Sequence, residues 1–393
     1  MMINMISLIF QVALLLNAIA FLNLVYAKSK NPNPQPISVA ISTVEYNEKK
    51  ISEPLNTKIT SILDEELTKA AELSKAVGLS ACAYFPNEGL WKKASGVKAF
   101  VNESSINNSP ITTSSKFHAG SIGKLITATL ILTLIEQKKF TLDTKISRWF
   151  NDTQYSNVIT IEHLLNHTAG LRRHALDNLA GLTLREKSKH TLNTELLFPP
   201  GTGFTYSNIG YIILGIILEQ EHEQPLAQVI ETHFIQKLSL NESVALSSSN
   251  KNTALINTAQ HTDVDYSDVG GAGILATTPC DLIHILNALL ANKIVNAATL
   301  QKMTKIAYPM NYEGTLHWTR GLMFLDTPLG RVHFLNGQIR DFSASIIYHP
   351  ELNVFISVMA NNNNTQIFPI LFHLLKTIKK TVDSTVKKNA DNK

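Results

Sequence analysis

The chain has 393 residues, 44% of them hydrophobic and 17% charged, with a formal net charge of +4. That composition describes an ordinary globular chain with ample core and excludes a disordered or fibrous one. So mild a charge gives no argument for nucleic acid as a partner.

Residues 1–27 carry no charged side chain and read as a targeting segment. Ile6 to Ala20 is an apolar run, and Val25-Tyr26-Ala27 presents small residues at positions a signal peptidase reads. No Lys or Arg precedes the run, which at roughly 20 residues is long enough to span a bilayer. The expectation is export to a periplasmic or secreted location, with the mature chain starting near Lys28. A retained signal anchor is the alternative and the only membrane attachment foreseen. Residues 28–54 are polar and proline-containing, as a linker would be.

The folded domain is expected over 55–378. Ile59 to Val77 has apolar residues at helical spacing. Leu79–Phe85 and Leu90–Ala94 are strand-like, separated by the turn chemistry of Pro86-Asn-Glu-Gly89. A polar loop over Asn102–Ser115 delivers the chain to His118-Ala-Gly-Ser121-Ile-Gly-Lys124, which runs straight into the apolar stretch Leu125–Glu136. Ser and Lys three apart at a helix start lie on one face, about one turn apart. A lysine held away from water beside a serine has a lowered pKa and can help carry the hydroxyl proton. The spacing alone is cheap, since it recurs at Ser95/Lys98, Ser248/Lys251 and Ser384/Lys387. None of those opens an apolar helix, so context carries the signal, and a helix cap with a solvated lysine is the plain alternative.

Helices and loops dominate from Leu125 to about Lys305. Within them, Ile161–Leu171 contains His163 and His167, a spacing that can place two metal ligands on one helical face. No Glu follows His163 and Thr-Ala-Gly ends the helix, so packed histidines are expected rather than a metal site, and no cofactor is foreseen. Phe198-Pro-Pro-Gly-Thr-Gly-Phe-Thr-Tyr206-Ser-Asn208 is a rigid loop before the buried run Ile212–Leu218. A phenol and an amide two apart there can face one cleft, the first as proton acceptor and the second as a ligand for a substrate amide. Tyr155-Ser-Asn157 has the same spacing but lacks the Pro/Gly frame and is set aside.

Strand signals return at Gly321–Leu325, Val332–Leu335, Ser343–Tyr348 and Asn353–Ala360, followed by a helix over Ile367–Ile378 and a charged tail over 379–393 expected to fray. Strands at both ends with a helical middle predict an α+β fold: one antiparallel sheet built from the two termini, flanked by helices, with a helical subdomain inserted. Cys82 and Cys280 are the chain's two cysteines. Cys82 sits in an apolar run and reads as a buried free thiol, with a disulfide, which export would permit, as the alternative.

At this point the chain resembles the penicillin-recognising serine hydrolases: class C β-lactamases, D-Ala-D-Ala carboxypeptidases and related esterases. The resemblance covers roughly Leu55 to Leu375. It rests on Phe117–Lys124, Ile161–Leu171, Pro200-Gly through Tyr206-Ser-Asn208, and Gly270-Gly-Ala-Gly-Ile-Leu-Ala-Thr-Thr-Pro-Cys-Asp-Leu282, in the family's order. It implies a β-lactamase/DD-peptidase-like fold and a small-molecule or peptide substrate. It also implies roles: Ser121 the acylated nucleophile, Lys124 its proton partner, Tyr206 the general base and Asn208 a substrate ligand. The family's third element aligns with His333-Phe-Leu335-Asn-Gly337-Gln338. There Gly337 would let substrate pair with the strand edge, and the Gln338 and Ser121 N–H groups would form an oxyanion hole.

Two positions depart from the family pattern. Leu335 stands where a cation or imidazole is usual, and Asp341 replaces a glycine. A substrate carboxylate facing Leu335 loses a contact worth roughly 1.5–3 kcal/mol, so neutral esters are expected to outperform carboxylated peptides and penicillins. His333, on Leu335's face of the strand, or Arg340 could restore the charge. The competing reading is a drifted copy that binds peptide or cell wall without turnover. The acyl donor and the oligomeric state are left open.

Overall fold

Runs of β-branched and aromatic residues from the two ends of the chain meet in one sheet. The computed structural model describes residues 44, 46–47, 50–55, 58–74, 76–98, 109–174, 181–247, 269–309, 315–362 and 365–391. Segment 1–27 and most of 28–54 lie outside them. The first half contains α1 (Lys58–Ser74), β1 (Gly78–Phe85), β2 (Gly89–Gly96), β3 (Phe117–His118), α2 (Gly123–Glu136), α3 (Ile161–Leu165), α4 (Leu184–Leu192), α5 (Asn208–His222) and α6 (Leu226–Ile230). The second half contains β4 (Val244–Ala245), β5 (Leu275–Thr277), α7 (Pro279–Leu290), α8 (Ala297–Thr304), β6 (Tyr308–Pro309), β7 (Leu316–Trp318), β8 (Met323–Thr327), β9 (Gly330–Ile339), β10 (Phe342–His349), β11 (Val354–Ala360) and α9 (Ile367–Asp391).

The main sheet is eight-stranded in the order β2-β1-β11-β10-β9-β8-β7-β6. Every neighbouring pair in it is antiparallel. β1 lies against the last strand, with Leu79 opposite Ala360 and Tyr84 opposite Phe355, so the two ends of the domain close one sheet. This is the antiparallel sheet the terminal strand runs predict. β1, β10 and β11 are buried along their whole length, so both of their faces are covered, and β1 and β11 read as nearly continuous apolar runs.

Helices cover both faces. Trp91 Nε1, opposite Ala83, donates to Asp64 of α1 at 3.0 Å. Cys82 points the other way, because successive side chains alternate across a strand, and meets α7. α9 packs beside α1 on the first face. Its charged end, expected to fray, stays helical to Asp391, where the backbone has ordinary helix formers and an i,i+4 pair between Lys379 and Asp383. Among the described residues no helix is long and apolar enough to cross a membrane. A small second sheet, β3-β5-β4, was not foreseen because its strands are only two or three residues long. It delivers the chain to Ser121.

The expected free thiol at Cys82 is corrected: Cys82 and Cys280 form a disulfide, with Cα atoms 5.3 Å apart. The pairing follows from the packing of α7 on β1, a contact no local pattern reveals. It closes a separation of 198 residues, for which the chain-entropy model gives about 5 kcal/mol of stabilisation.

Two buried histidines make the fold acid-sensitive. Burial pushes His118 down to about 3 and His333 down to about 4. Both lie below the unfolded value near 6.5, so stability is complete above that pH. It is lost as pH falls, down to about 4 for His333 and about 3 for His118, because only the unfolded chain takes up the protons. Each should cost about 1.4 kcal/mol per pH unit below 6.5. Urea unfolding at pH 7 and pH 5 should show the loss, and His333→Gln should flatten its slope; a pH-independent midpoint would contradict the assignment.

Candidate active site

Ser121 is placed by two close backbone approaches. The Ala119 N–H donates to the Leu275 carbonyl at 2.9 Å, tying the chain to β5. Gly120 then takes a left-handed φ of +53°, and a Cβ there would stand 2.8 Å from the Gln338 nitrogen. Only glycine fits that turn. Ser121 follows in a 3-10 turn over Gly120–Ile122 that continues as α2.

Lys124, one turn on, is 1% exposed. Its ammonium donates to Ser121 Oγ and to the Ala272 carbonyl, both at 3.1 Å. It also stands 4.9 Å above the Tyr206 ring centroid and 5.8 Å above that of Tyr211. Burial lowers the lysine below its ordinary range; the Tyr206 phenol opposes that shift and the Arg173 charge adds to it. The Gly270–Ala272 turn that supplies the carbonyl packs tightly against this corner. A Cβ on Gly273 would lie 2.6 Å from the Gly120 oxygen, and the Thr127 hydroxyl donates to the Gly271 carbonyl at 2.7 Å.

Tyr206 and Asn208 flank Ser207, which caps α5 by accepting from the Gly210 N–H at 3.1 Å. The loop is anchored on both sides. The Ser207 N–H donates to His167 Nδ1 at 3.1 Å, the Ser207 hydroxyl to the Arg172 carbonyl at 2.8 Å, and the Asn208 N–H to the Arg173 carbonyl at 2.9 Å. Asn208 Oδ1 is buried without a hydrogen-bond partner, and its Nδ2 lies 3.4 Å from His174 Nδ1. Orphaned polar atoms of this kind are uncommon in native interiors and mark a place where water or ligand binds.

His163 and His167 do not share a helical face. His163 belongs to the capping box of α3, exchanging hydrogen bonds with Thr160. His167 lies past the helix end at φ +58°, its ring 4.4 Å from Tyr206 and 4.5 Å from Trp318. Burial, with Lys124 and Arg173 nearby, holds it neutral well below the usual histidine range. It is the platform under Tyr206.

β9 packs against the Ser121 loop. A Cβ on Gly337 would lie 2.0 Å from the Ala119 oxygen and 3.0 Å from the Ser121 nitrogen, so strand and Ser121 loop touch backbone to backbone. Gln338 follows it, its backbone against Gly120. The structure thus brings Ser121, Lys124, Tyr206, Gly337 and the Gln338 backbone to one corner, with Asn208 on the Tyr206 loop. Leu335 is buried at 3% exposure. His333 cannot restore the charge there: its ring packs between Phe324 and Tyr348, at 4.7 and 5.7 Å. Arg340 is exposed at the β9–β10 turn, and Asp341 Oδ2 is buried without a partner.

Sequence reasoning missed two residues. Trp318 donates its indole N–H to the Leu165 carbonyl at 2.9 Å and wedges against His167. Arg173 sets its guanidinium 5.3 Å from the Tyr206 ring centroid. Its only signal was position, two residues past the Ile161–Leu171 block.

A family model described as Beta-lactamase matches residues 65–375. A penicillin-binding protein of Bacillus subtilis (strain 168) is 31% identical over 144 residues, covering 34% of this chain and 31% of that protein. Esterase EstB of Burkholderia gladioli is 26% identical over 201 residues, covering 46% of this chain and 50% of the esterase. The matches therefore span about a third to a half of these curated relatives. Among solved structures, D-amino acid amidase from Ochrobactrum anthropi SV3, complexed with L-phenylalanine, superposes with a TM-score of 0.69 at 20% identity, covering 81% of this chain and 99% of the amidase. At that identity the likeness is one of fold.

Proposed function

The chain belongs to the Beta-lactamase family, within the penicillin-recognising serine hydrolases, and from that premise we propose that it is an exported acyl-hydrolase working through an acyl-enzyme on Ser121. The observation that carries the reading is the buried Lys124 ammonium donating to Ser121 Oγ at 3.1 Å. A lysine whose burial disfavours its charge can take a proton that a solvated lysine would refuse.

In this mechanism Ser121 Oγ attacks the carbonyl carbon of an ester or amide, and its proton passes to Lys124 in its neutral form or to Tyr206. The N–H groups of Ser121 and Gln338, one on each side of the Gly120–Gly337 contact, hold the developing oxyanion. The leaving group departs with the proton. Water then attacks the acyl carbon as its proton passes to Tyr206; the acyl carbon–Oγ bond breaks, and that proton is returned to Ser121 Oγ, which regenerates the hydroxyl. Asn208 binds the acyl donor's amide, its orphaned Oδ1 accepting an N–H. The curated relatives' names, a penicillin-binding protein and an esterase, agree with a β-lactam-like or ester substrate.

A chromogenic ester tests the reading: a burst of alcohol equal to the enzyme present should precede slower turnover. The competing binder rests on Leu335 and Asp341 and predicts neither burst nor turnover. Export is supported by the uncharged apolar run ending at Ala27 and by the Cys82–Cys280 disulfide, which persists best in an oxidising compartment. N-terminal sequencing of the exported protein should begin near Lys28; an intact Met1 in the membrane fraction would show an anchor.

A further inference from the structure

Arg173 differs from three arginines that lie within ion-pairing distance of a carboxylate among the described residues. Arg148 pairs with Glu221, Arg320 with Glu162 and Arg331 with Asp326. Arg173 is half-buried, has no carboxylate within ion-pair distance among the described residues, and keeps its Nε–H buried without a hydrogen-bond partner. A guanidinium withdrawn from water without an anion is costly. Its carbonyl accepts from the Asn208 N–H at 2.9 Å, so it is fastened to the same loop as Asn208 Oδ1, another buried polar atom without a partner. Its charge is felt at the centre, where it lowers both Lys124 and His167.

Lys124 and Arg173 thus both stand over the Tyr206 ring, 4.9 and 5.3 Å from its centroid. β9 offers the buried aliphatic Leu335 and the bare backbone of Gly337. We propose that Arg173 is the specificity residue of this cleft and binds a free carboxylate on the acyl donor, so that the substrates are carboxylated peptides or depsipeptides rather than neutral esters. The planar guanidinium presents two parallel N–H donors that match a carboxylate, and the unpaired Nε–H is one of them. The ester preference expected from Leu335 alone is thereby reversed, because the cation comes from the Tyr206 side of the cleft. This inference rests on the hydrolase reading for its kinetics but not for its binding.

The test compares an acylated depsipeptide bearing a free carboxylate with its methyl ester, using the full chain. The wild type should favour the free acid in kcat/KM. Arg173→Ala should lower the acid-over-ester ratio by about 10- to 100-fold, mostly through KM, and Arg173→Lys should restore part of it. Binding is measured separately by calorimetry of the same free acid and ester to Ser121→Ala, with and without Arg173→Ala. Preference for the acid should vanish with the guanidinium. An unchanged ratio in Arg173→Ala, or equal use of acid and ester by the wild type, would overturn the inference and leave the hydrolase intact. Absence of turnover, with acid-selective binding that depends on Arg173, would overturn the hydrolase reading and uphold the inference.

Discussion

Ser121→Ala is expected to reduce ester turnover by roughly 10⁴-fold or more while leaving the thermal midpoint nearly unchanged. The hydroxyl is the only group lost, and its contact in the resting protein is the donation from Lys124. Removing it leaves the ammonium still bonded to the Ala272 carbonyl at 3.1 Å and still above the Tyr206 ring. No cavity larger than one oxygen is made, so the packing penalty is small. Steady-state hydrolysis of the chromogenic ester, with differential scanning calorimetry of both proteins, reads the two effects. A variant that keeps a tenth of the wild-type rate would mean that another nucleophile is at work.

Gly337→Ala should have the second largest effect, and through geometry rather than chemistry. The added methyl would sit 2.0 Å from the Ala119 oxygen, a backbone atom that cannot swing aside. Either β9 or the Gly120–Ser121 turn must shift by about an ångström. A displacement of that size at a reacting centre costs on the order of 10²-fold in rate, and the overpacking adds about 1–3 kcal/mol of destabilisation. The variant should stay folded, because β9 is held along its length by β8 and β10. Near-UV circular dichroism with kcat for the ester separates loss of fold from loss of geometry. Wild-type kcat in a folded Gly337→Ala would contradict the close approach.

What was legible in the chain was what local chemistry specifies. The all-round apolar α2 announced a buried helix, and Ser121 with Lys124 in its first turns stood out against it. The terminal strand runs named the sheet, and the Pro/Gly frame distinguished Tyr206-Ser-Asn208 from its decoy at Tyr155. The rest depended on long-range approach. Cys82 finds Cys280 only because α7 packs across β1, 198 residues away in sequence. His333 does share the alternation of Leu335, yet alternation says nothing of where the ring ends, and it ends against Phe324 and Tyr348. Arg173 looked like one more basic residue after a helix. Its meaning appears only when the Asn208 N–H ties it beside Tyr206, with no carboxylate in ion-pair reach among the described residues.

The central claim is that Ser121 forms a covalent intermediate in a corner built by Lys124, Tyr206 and the β9 backbone. Intact-mass spectrometry after incubation with a stoichiometric fluorophosphonate tests it most directly, because the reagent is neutral and does not depend on Arg173. The account predicts one adduct per chain, mapped by peptide fragmentation to Ser121 and absent from Ser121→Ala. An unmodified wild-type chain, or an adduct that persists in Ser121→Ala, would contradict it.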